Sequence, residues 1–168
     1  MKIDLTNIPS EGKQTDLTLK PDWWKGDPEE DRIVGLGGPL SAWIKVYPAG
    51  RKIVVEGFLS TRLLLRCDRC LEPYSWELSK DFRIYLSIAP FKGNAEVELL
   101  EDDLNLDFID GNFLYPDQVI KEQLILHVPM KTLCAAECKG LCPICGCNLN
   151  TTTCSCSLRD KNFLFSNQ

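Results

Sequence analysis

Apolar and polar residues alternate along most of the first half of this chain, the period of strands that bury one face. Ile3, Leu5, Leu17 and Leu19 carry the alternation through residues 1–20 around a Pro-Ser-Glu-Gly break, which predicts two short strands joined by a turn. Residues 41–47 and 52–66 read as the arms of a hairpin reversed by Pro48, Ala49 and Gly50. In the longer arm Val55, Gly57, Leu59, Thr61, Leu63 and Leu65 share one face, and Glu56, Arg62 and Arg66 share the other. Those arginines are too few for a nucleic-acid footprint and are read as scattered charge on a solvated sheet. Residues 72–89 alternate again through Trp76, Leu78, Phe82, Ile84, Leu86 and Ile88, which adds a long strand to a sheet expected to be antiparallel.

The period changes once. After Gly111, Pro116 suits a first helical turn, and Val119, Ile120, Leu124 and Val128 recur at helical spacing until Pro129, predicting a helix near 116–127. His127, the sole histidine, falls at its end, and is read as a capping or half-buried residue rather than a metal ligand. Residues 21–39, rich in Gly, Pro and acidic side chains, read as an ordered loop or short helix with Trp23 and Trp24 as packing anchors. Gly35, Gly37 and Gly38 precede Pro39 with no helix after them, so they are assigned to a turn and not to a nucleotide loop. Acidic residues 96–110, with Asp102, Asp103, Asp107 and Asp110, miss the spacing of a calcium loop; a solvated linker and one strand at 106–109 are expected.

Composition narrows the class. A chain of 168 residues that is 44% hydrophobic can bury one ordinary core with a small attachment. Its start has Asp4 and Pro9 where a signal peptide needs an apolar run, and no stretch approaches the ~18 apolar residues of a membrane span, so a cytoplasmic protein is expected. A net charge of -5 excludes the broad basic field of a protein that coats nucleic acid. No catalytic triad, phosphate-cradling loop or paired carboxylates with believable spacing is present, so neither catalytic residues nor a small-molecule substrate are assigned.

The 9 cysteines change the picture most. Without a secretion signal they point to metal rather than to disulfides. Cys142-Pro-Ile-Cys145-Gly146 has the form of a zinc knuckle, in which a tight turn aims two sulfurs at one ion. Cys154 and Cys156 supply a second close pair across residues 148–153, closing a tetrahedron around a structural Zn²⁺ that leaves no position for a reactive water. Cys67-Asp-Arg-Cys70 has the same two-residue gap, and Cys134 with Cys138 can complete a second site. A single site of Cys134, Cys138, Cys142 and Cys145 competes with that arrangement, and Cys147 is the spare in the first. Arg69 is expected to lower the pKa of neighbouring thiols, which would also suit thiol exchange. A thioredoxin-like motif, however, opens a helix, and here Leu71-Glu-Pro73 leads into a strand.

Cys67-Asp-Arg-Cys70-Leu-Glu-Pro73, then Leu126-His-Val-Pro-Met130, then Cys138-Lys-Gly-Leu-Cys142-Pro-Ile-Cys145-Gly and Asn148-Leu-Asn150 occur in this order, and in them the chain resembles the YceD family of bacterial large ribosomal RNA subunit accumulation proteins. The resemblance implies a non-enzymatic cytoplasmic factor that supports 23S rRNA accumulation and large-subunit biogenesis. Its partners would be rRNA, a large-subunit ribosomal protein or an assembly intermediate. Family members often end in an Arg-containing, leucine-rich helix, whereas this chain ends through residues 158–165, and some relatives lack the second cysteine cluster. The zinc is therefore expected to stabilise rather than to act.

Together these readings predict an α+β fold: an antiparallel, sheet-dominated domain over residues 1–130 with one main helix, and a cysteine-rich zinc module over 131–168 packed on it. A zinc-ribbon adaptor for a non-ribosomal complex is the alternative function, and a thiol redox protein a more distant one.

Overall fold

The structure, a computed structural model, describes residues 1–27, 30–50, 52–88, 106–109 and 111–156, with the backbone alone described at 88 and 106–109. In chain order the strands are β1 (Ile3–Asp4), β2 (Lys13–Leu19), β3 (Ile33–Leu36), β4 (Leu40–Ala49), β5 (Lys52–Arg66), β6 (Pro73–Ile88), β7 (Leu106–Ile109) and β8 (Phe113–Leu114). A 3-10 turn spans Pro21–Trp23, and the helix α1 spans Pro116–His127.

The longest runs of alternation become the longest strands. β5 and β6 pair antiparallel from Ile53↔Leu86 to Arg66↔Pro73, a long ribbon whose connecting turn, 67–72, holds the first cysteine pair. The main sheet runs β2-β4-β5-β6-β7. Val55, Leu59, Leu63 and Leu65 are wholly buried, as their shared face predicts. On the opposite face Arg62 pairs with Glu77 and Arg66 with Asp31, while Glu56 pairs with Arg83, so the charge there is matched.

The two short strands expected in residues 1–20 are β1 and β2, which pair with β8 and β4. Two expectations need correction. Pro48 and Ala49 lie in β4 opposite Ile53 and Lys52, so they belong to the strand and not to the reversal; Pro48 falls beyond Val46, the last β4 residue paired with β2. Residues 33–36, assigned to a loop and glycine turn, form a strand. β3 and β4 lie end to end along one edge of β5: Leu36 opposes Leu63, Ser41 opposes Ser60, and the Gly37 N–H donates to the Arg62 carbonyl at 2.7 Å. A bulge between Ile33 and Gly35 broke the alternation that would have revealed β3.

The sheet is antiparallel except at β6 and β7, which pair in parallel. Parallel neighbours need a crossover of a dozen or more residues, and 89–105 supply that length. The acidic linker assigned to 96–105, Asp110 and the terminal residues 158–165 lie outside the described residues.

α1 buries Val119, Ile120, Gln123 and Leu124 against the sheet's inner face. His127 donates from Nδ1 to the Gln123 carbonyl at 2.7 Å, the capping role read from its position. Beyond the helix, Arg32 grips Glu30 and donates to the Pro129 carbonyl at 3.0 Å, which fixes the exit of the chain from α1. Residues 131–156 then lie against the tip of the β5–β6 ribbon.

Candidate metal centres

The two Cys-x-x-Cys segments fold into the same turn. In the first, the Cys67 N–H donates to the Glu72 carbonyl at 3.0 Å and the Leu71 N–H to the Cys67 carbonyl at 2.9 Å. In the second, the Cys142 N–H donates to the Cys147 carbonyl at 2.8 Å and the Gly146 N–H to the Cys142 carbonyl at 2.9 Å. Both turns need a left-handed residue after the second cysteine. Gly146 fills the position at φ 73° and Leu71 at φ 62°. Backbone N–H groups inside such a turn point at the sulfurs, as they must to stabilise thiolates.

All nine cysteines are free thiols. Two groups of four form among the described residues, Cys67, Cys70, Cys134 and Cys138, and Cys142, Cys145, Cys154 and Cys156, with the sulfurs of each group within 4.8 Å of one another. In the first, the Cys67–Cys138 and Cys70–Cys134 sulfurs are 3.8 and 3.7 Å apart. In the second, Cys145–Cys154 and Cys142–Cys154 are both 3.5 Å apart. Four sulfurs held at about 2.3 Å from one tetrahedral ion would stand about 3.8 Å apart. The donor set and spacing therefore fit a closed thiolate site for one metal ion in each group. The mixed set of Cys134, Cys138, Cys142 and Cys145 is not brought together. Cys147 is left outside both groups.

The first group is buried except at Cys134, which is exposed, and it spans distant parts of the chain. Cys67, Cys70 and Cys138 are at most 4% exposed. Two of its sulfurs come from the ribbon turn and two from the segment after α1. A clamp beside it joins the same two parts: the Thr132 N–H donates to Asp68 Oδ2 at 2.6 Å, and the Asp68 N–H to the Thr132 carbonyl at 2.8 Å. The Thr132 hydroxyl, fully buried, lies 2.7 Å from the Arg66 carbonyl and 2.9 Å from Asp68 Oδ1.

The groups are tied together by asparagines. Asn150 accepts from the Lys139 N–H at 2.8 Å, donates to Asn148 Oδ1 at 2.9 Å and presents its Nδ2 to the Cys138 sulfur at 3.3 Å. A short antiparallel bridge, Leu141↔Asn148, closes the outer turn, and the Leu141 N–H donates to the Arg69 carbonyl at 3.1 Å, which sets that turn on the inner one. Residues 148–150 thus do more than connect cysteine pairs. Their polar, turn-forming composition was the available signal; the partner sulfur was not.

Electrostatics within each group is divided. Burial raises the Cys67 thiol, but backbone N–H groups of Cys70, Cys134 and Arg69 outweigh it and bring the pKa down to about 6. Cys134, facing Cys138, is pushed up to about 12. In the second group the Cys147 N–H, with neighbouring thiols, lowers Cys145 to about 6, while Cys154 pushes Cys156 up to about 12. Four thiols so close cannot all ionise without a cation among them. The expected charge effect of Arg69 is not seen: its guanidinium donates to the Cys138 carbonyl at 2.8 Å, and its backbone N–H is what acts on Cys67.

Residues 55–165 match the family model described as Large ribosomal RNA subunit accumulation protein YceD. Among curated proteins, the chain is 25% identical to a chloroplastic large ribosomal RNA subunit accumulation protein YCED homolog 1 of Zea mays, over 95% of this chain and 60% of the relative. It is 27% identical to the Arabidopsis thaliana protein of the same description, over 75% of this chain and 46% of that one. An uncharacterized protein of Mycobacterium leprae is 21% identical over 70% of this chain and 52% of its own length. The chain thus spans about half the length of these relatives. No solved structure matches it.

Proposed function

The chain belongs to the YceD family, and on that premise we propose that it is a non-enzymatic factor supporting 23S rRNA accumulation and biogenesis of the large ribosomal subunit. The match over residues 55–165 carries this reading, because it takes in both Cys-x-x-Cys turns and the helix between them. The partner proposed is rRNA, a large-subunit ribosomal protein or an assembly intermediate. The compartment proposed is the bacterial cytoplasm; the plant relatives are named as chloroplastic proteins. No described helix is long and apolar enough to cross a membrane.

Two structural Zn²⁺ ions are part of the proposal. Cys67, Cys70, Cys134 and Cys138 would hold one, and Cys142, Cys145, Cys154 and Cys156 the other. All-thiolate coordination fills a tetrahedron, so the ion would supply folding free energy and not a reactive water. In this reading residues 131–168 are a cysteine-rich module whose inner site is half built by the sheet, and metal fastens the module to the ribbon tip. The net charge of -5 favours one second reading, an adaptor that meets a protein surface instead of RNA.

Depleting the protein and measuring 23S against 16S rRNA tests the function. A selective fall in 23S rRNA is expected; equal levels of both would remove the ribosomal reading and leave the adaptor.

A further inference from the structure

The face of the main sheet opposite the one that α1 covers carries a row of side chains unlike its neighbours. Asp16 of β2 lies opposite Trp43 of β4, Trp43 opposite Phe58 of β5, and Phe58 opposite Asp81 of β6, so all four stand on one face across four adjacent strands. Both rings are half-buried, and neither joins the hydrophobic core on the other side of the sheet. Apolar rings set among polar groups on a solvated face mark a contact surface. Beside them lies an open depression of about 480 Å³, lined by Trp43, by Glu56 and Gly57, and by Asp81, Phe82 and Arg83.

The charges next to this row are already paired. Glu56 accepts from Arg83 at 2.9 Å and from the Tyr47 hydroxyl at 3.2 Å, and the Lys45 ammonium lies 5.5 Å from the centre of the Tyr47 ring. Asp16 and Asp81 differ: both are exposed, and neither has a cationic partner among the described residues. The row therefore runs carboxylate, indole, phenyl, carboxylate.

Such a row attracts cations and repels phosphates. A guanidinium is planar and always charged, so it stacks on an aromatic face while its fork of N–H groups bonds a carboxylate. RNA bases would find rings to stack on, but the backbone carrying them would meet a carboxylate at either end of the row. Three strand spacings of about 4.8 Å set Asp16 and Asp81 about 14 Å apart, which an extended segment covers in about four residues, and residues four apart on such a segment point to the same side.

We propose that this face docks an extended basic segment of a partner protein, laid across the strands. Two arginines about four residues apart pair with Asp16 and Asp81, and one guanidinium stacks on Trp43. The net charge of -5 adds long-range attraction for such a segment. The inference rests on the protein-partner form of the function proposed above, ribosomal or adaptor, and assigns that partner its contact.

The test adds the full metal-loaded chain to a fluorescein-labelled synthetic peptide with two arginines four residues apart in a Ser/Gly background, followed by anisotropy. Saturable binding that weakens with added salt is expected. Changing Asp16→Asn and Asp81→Asn together, both at exposed positions where the fold is not at stake, should weaken binding about tenfold and flatten its salt dependence. Trp43→Ala should weaken it about fivefold, and Trp43→Phe, which keeps a ring, should recover part of that loss. Citrulline in place of both arginines keeps the shape without the charge and should abolish binding. No binding of the arginine peptide, or equal affinity in the Asp16→Asn, Asp81→Asn variant, would overturn the site; a selective fall in 23S rRNA on depletion would still stand. Peptide binding as expected, with 23S and 16S rRNA equal on depletion, would support the surface and assign it to the adaptor reading. A short single-stranded RNA that binds, is lost in Trp43→Ala and binds more tightly once both aspartates are changed would assign the face to nucleic acid and overturn the inference.

Discussion

Leu71 and Gly146 occupy the same place in two copies of one turn. Each follows a Cys-x-x-Cys pair, each donates its N–H to the carbonyl of the first cysteine at 2.9 Å, and each is left-handed, at φ 62° and 73°. Leu71 is the one non-glycine residue with positive φ among the described residues, and its side chain is 55% exposed. The first turn therefore holds strain that the second avoids, with little side-chain burial to offset it.

Exchange at these two positions should have opposite effects. A left-handed L-residue costs roughly 1–2 kcal/mol, and a new glycine costs about 0.5–1 kcal/mol through the unfolded chain. Leu71→Gly should leave stability unchanged or raise it by up to about 1 kcal/mol, whereas Gly146→Leu, where an added Cβ meets nothing, should lower it by a similar amount. Denaturant unfolding of the metal-loaded protein decides; a Leu71→Gly variant clearly less stable than the parent would show that the leucine side chain has a binding or packing role.

Metal content should follow the sulfur groups. Elemental analysis of reduced protein is expected to give two zinc ions per chain, one after Cys67→Ser or Cys145→Ser, and still two after Cys147→Ser. Loss of an ion on changing Cys147 would mean that the outer site uses it in place of Cys156.

The clamp between Asp68 and Thr132 should matter apart from metal. Thr132→Val removes a fully buried hydroxyl and leaves the Arg66 carbonyl without that donor, which should cost about 1–3 kcal/mol. The Thr132 N–H holds the Asp68 carboxylate below its ordinary pKa of 3.8. Because the folded pKa is the lower one, this stabilisation is present above pH 3.8 and is lost on acidification below it. Thr132→Val should preserve most of that acid sensitivity, since the backbone N–H remains; Asp68→Asn should abolish it.

Metal-free protein should have a stability maximum near pH 9. The Cys67 and Cys145 thiols stand at about 6 against an ordinary 9.0, so their contribution is complete above 9.0 and is lost as pH falls through about 6. Cys134, Cys147 and Cys156, pushed up to about 12, act oppositely and destabilise the fold as pH rises above 9.0. Urea midpoints of chelated, reduced protein between pH 6 and 10.5 should rise and then fall. A flat profile would mean that the sulfurs separate once metal is gone.

Gly57 should tolerate no side chain. An added Cβ would stand 2.5 Å from the Trp43 carbonyl and 2.6 Å from the Phe82 ring, which covers this glycine from β6. Gly57→Ala should cost about 1–3 kcal/mol by forcing the strands or the ring to move. Equal thermal stability would show that Phe82 gives way freely.

What the sequence determined by itself was local. The period of two in residues 52–66 and 72–89 specified the long ribbon and its buried face, because alternation along a pleated strand is a property of neighbours in the chain. The helix from Pro116 to His127 was legible for the same reason, its apolar residues and its stops lying within a few turns. Each Cys-x-x-Cys turn could be read because six residues contain it. Strand partners were a tertiary matter: β1 seeks β8 across more than a hundred residues, β3 shares an edge of β5 with β4, and β6 takes a parallel neighbour, none of which a local period encodes. The same holds for the site. The thiols were visible as a composition, but only folding decided that Cys67 and Cys70 meet Cys134 and Cys138, because a four-sulfur site is defined by distances between segments and not by spacing within one.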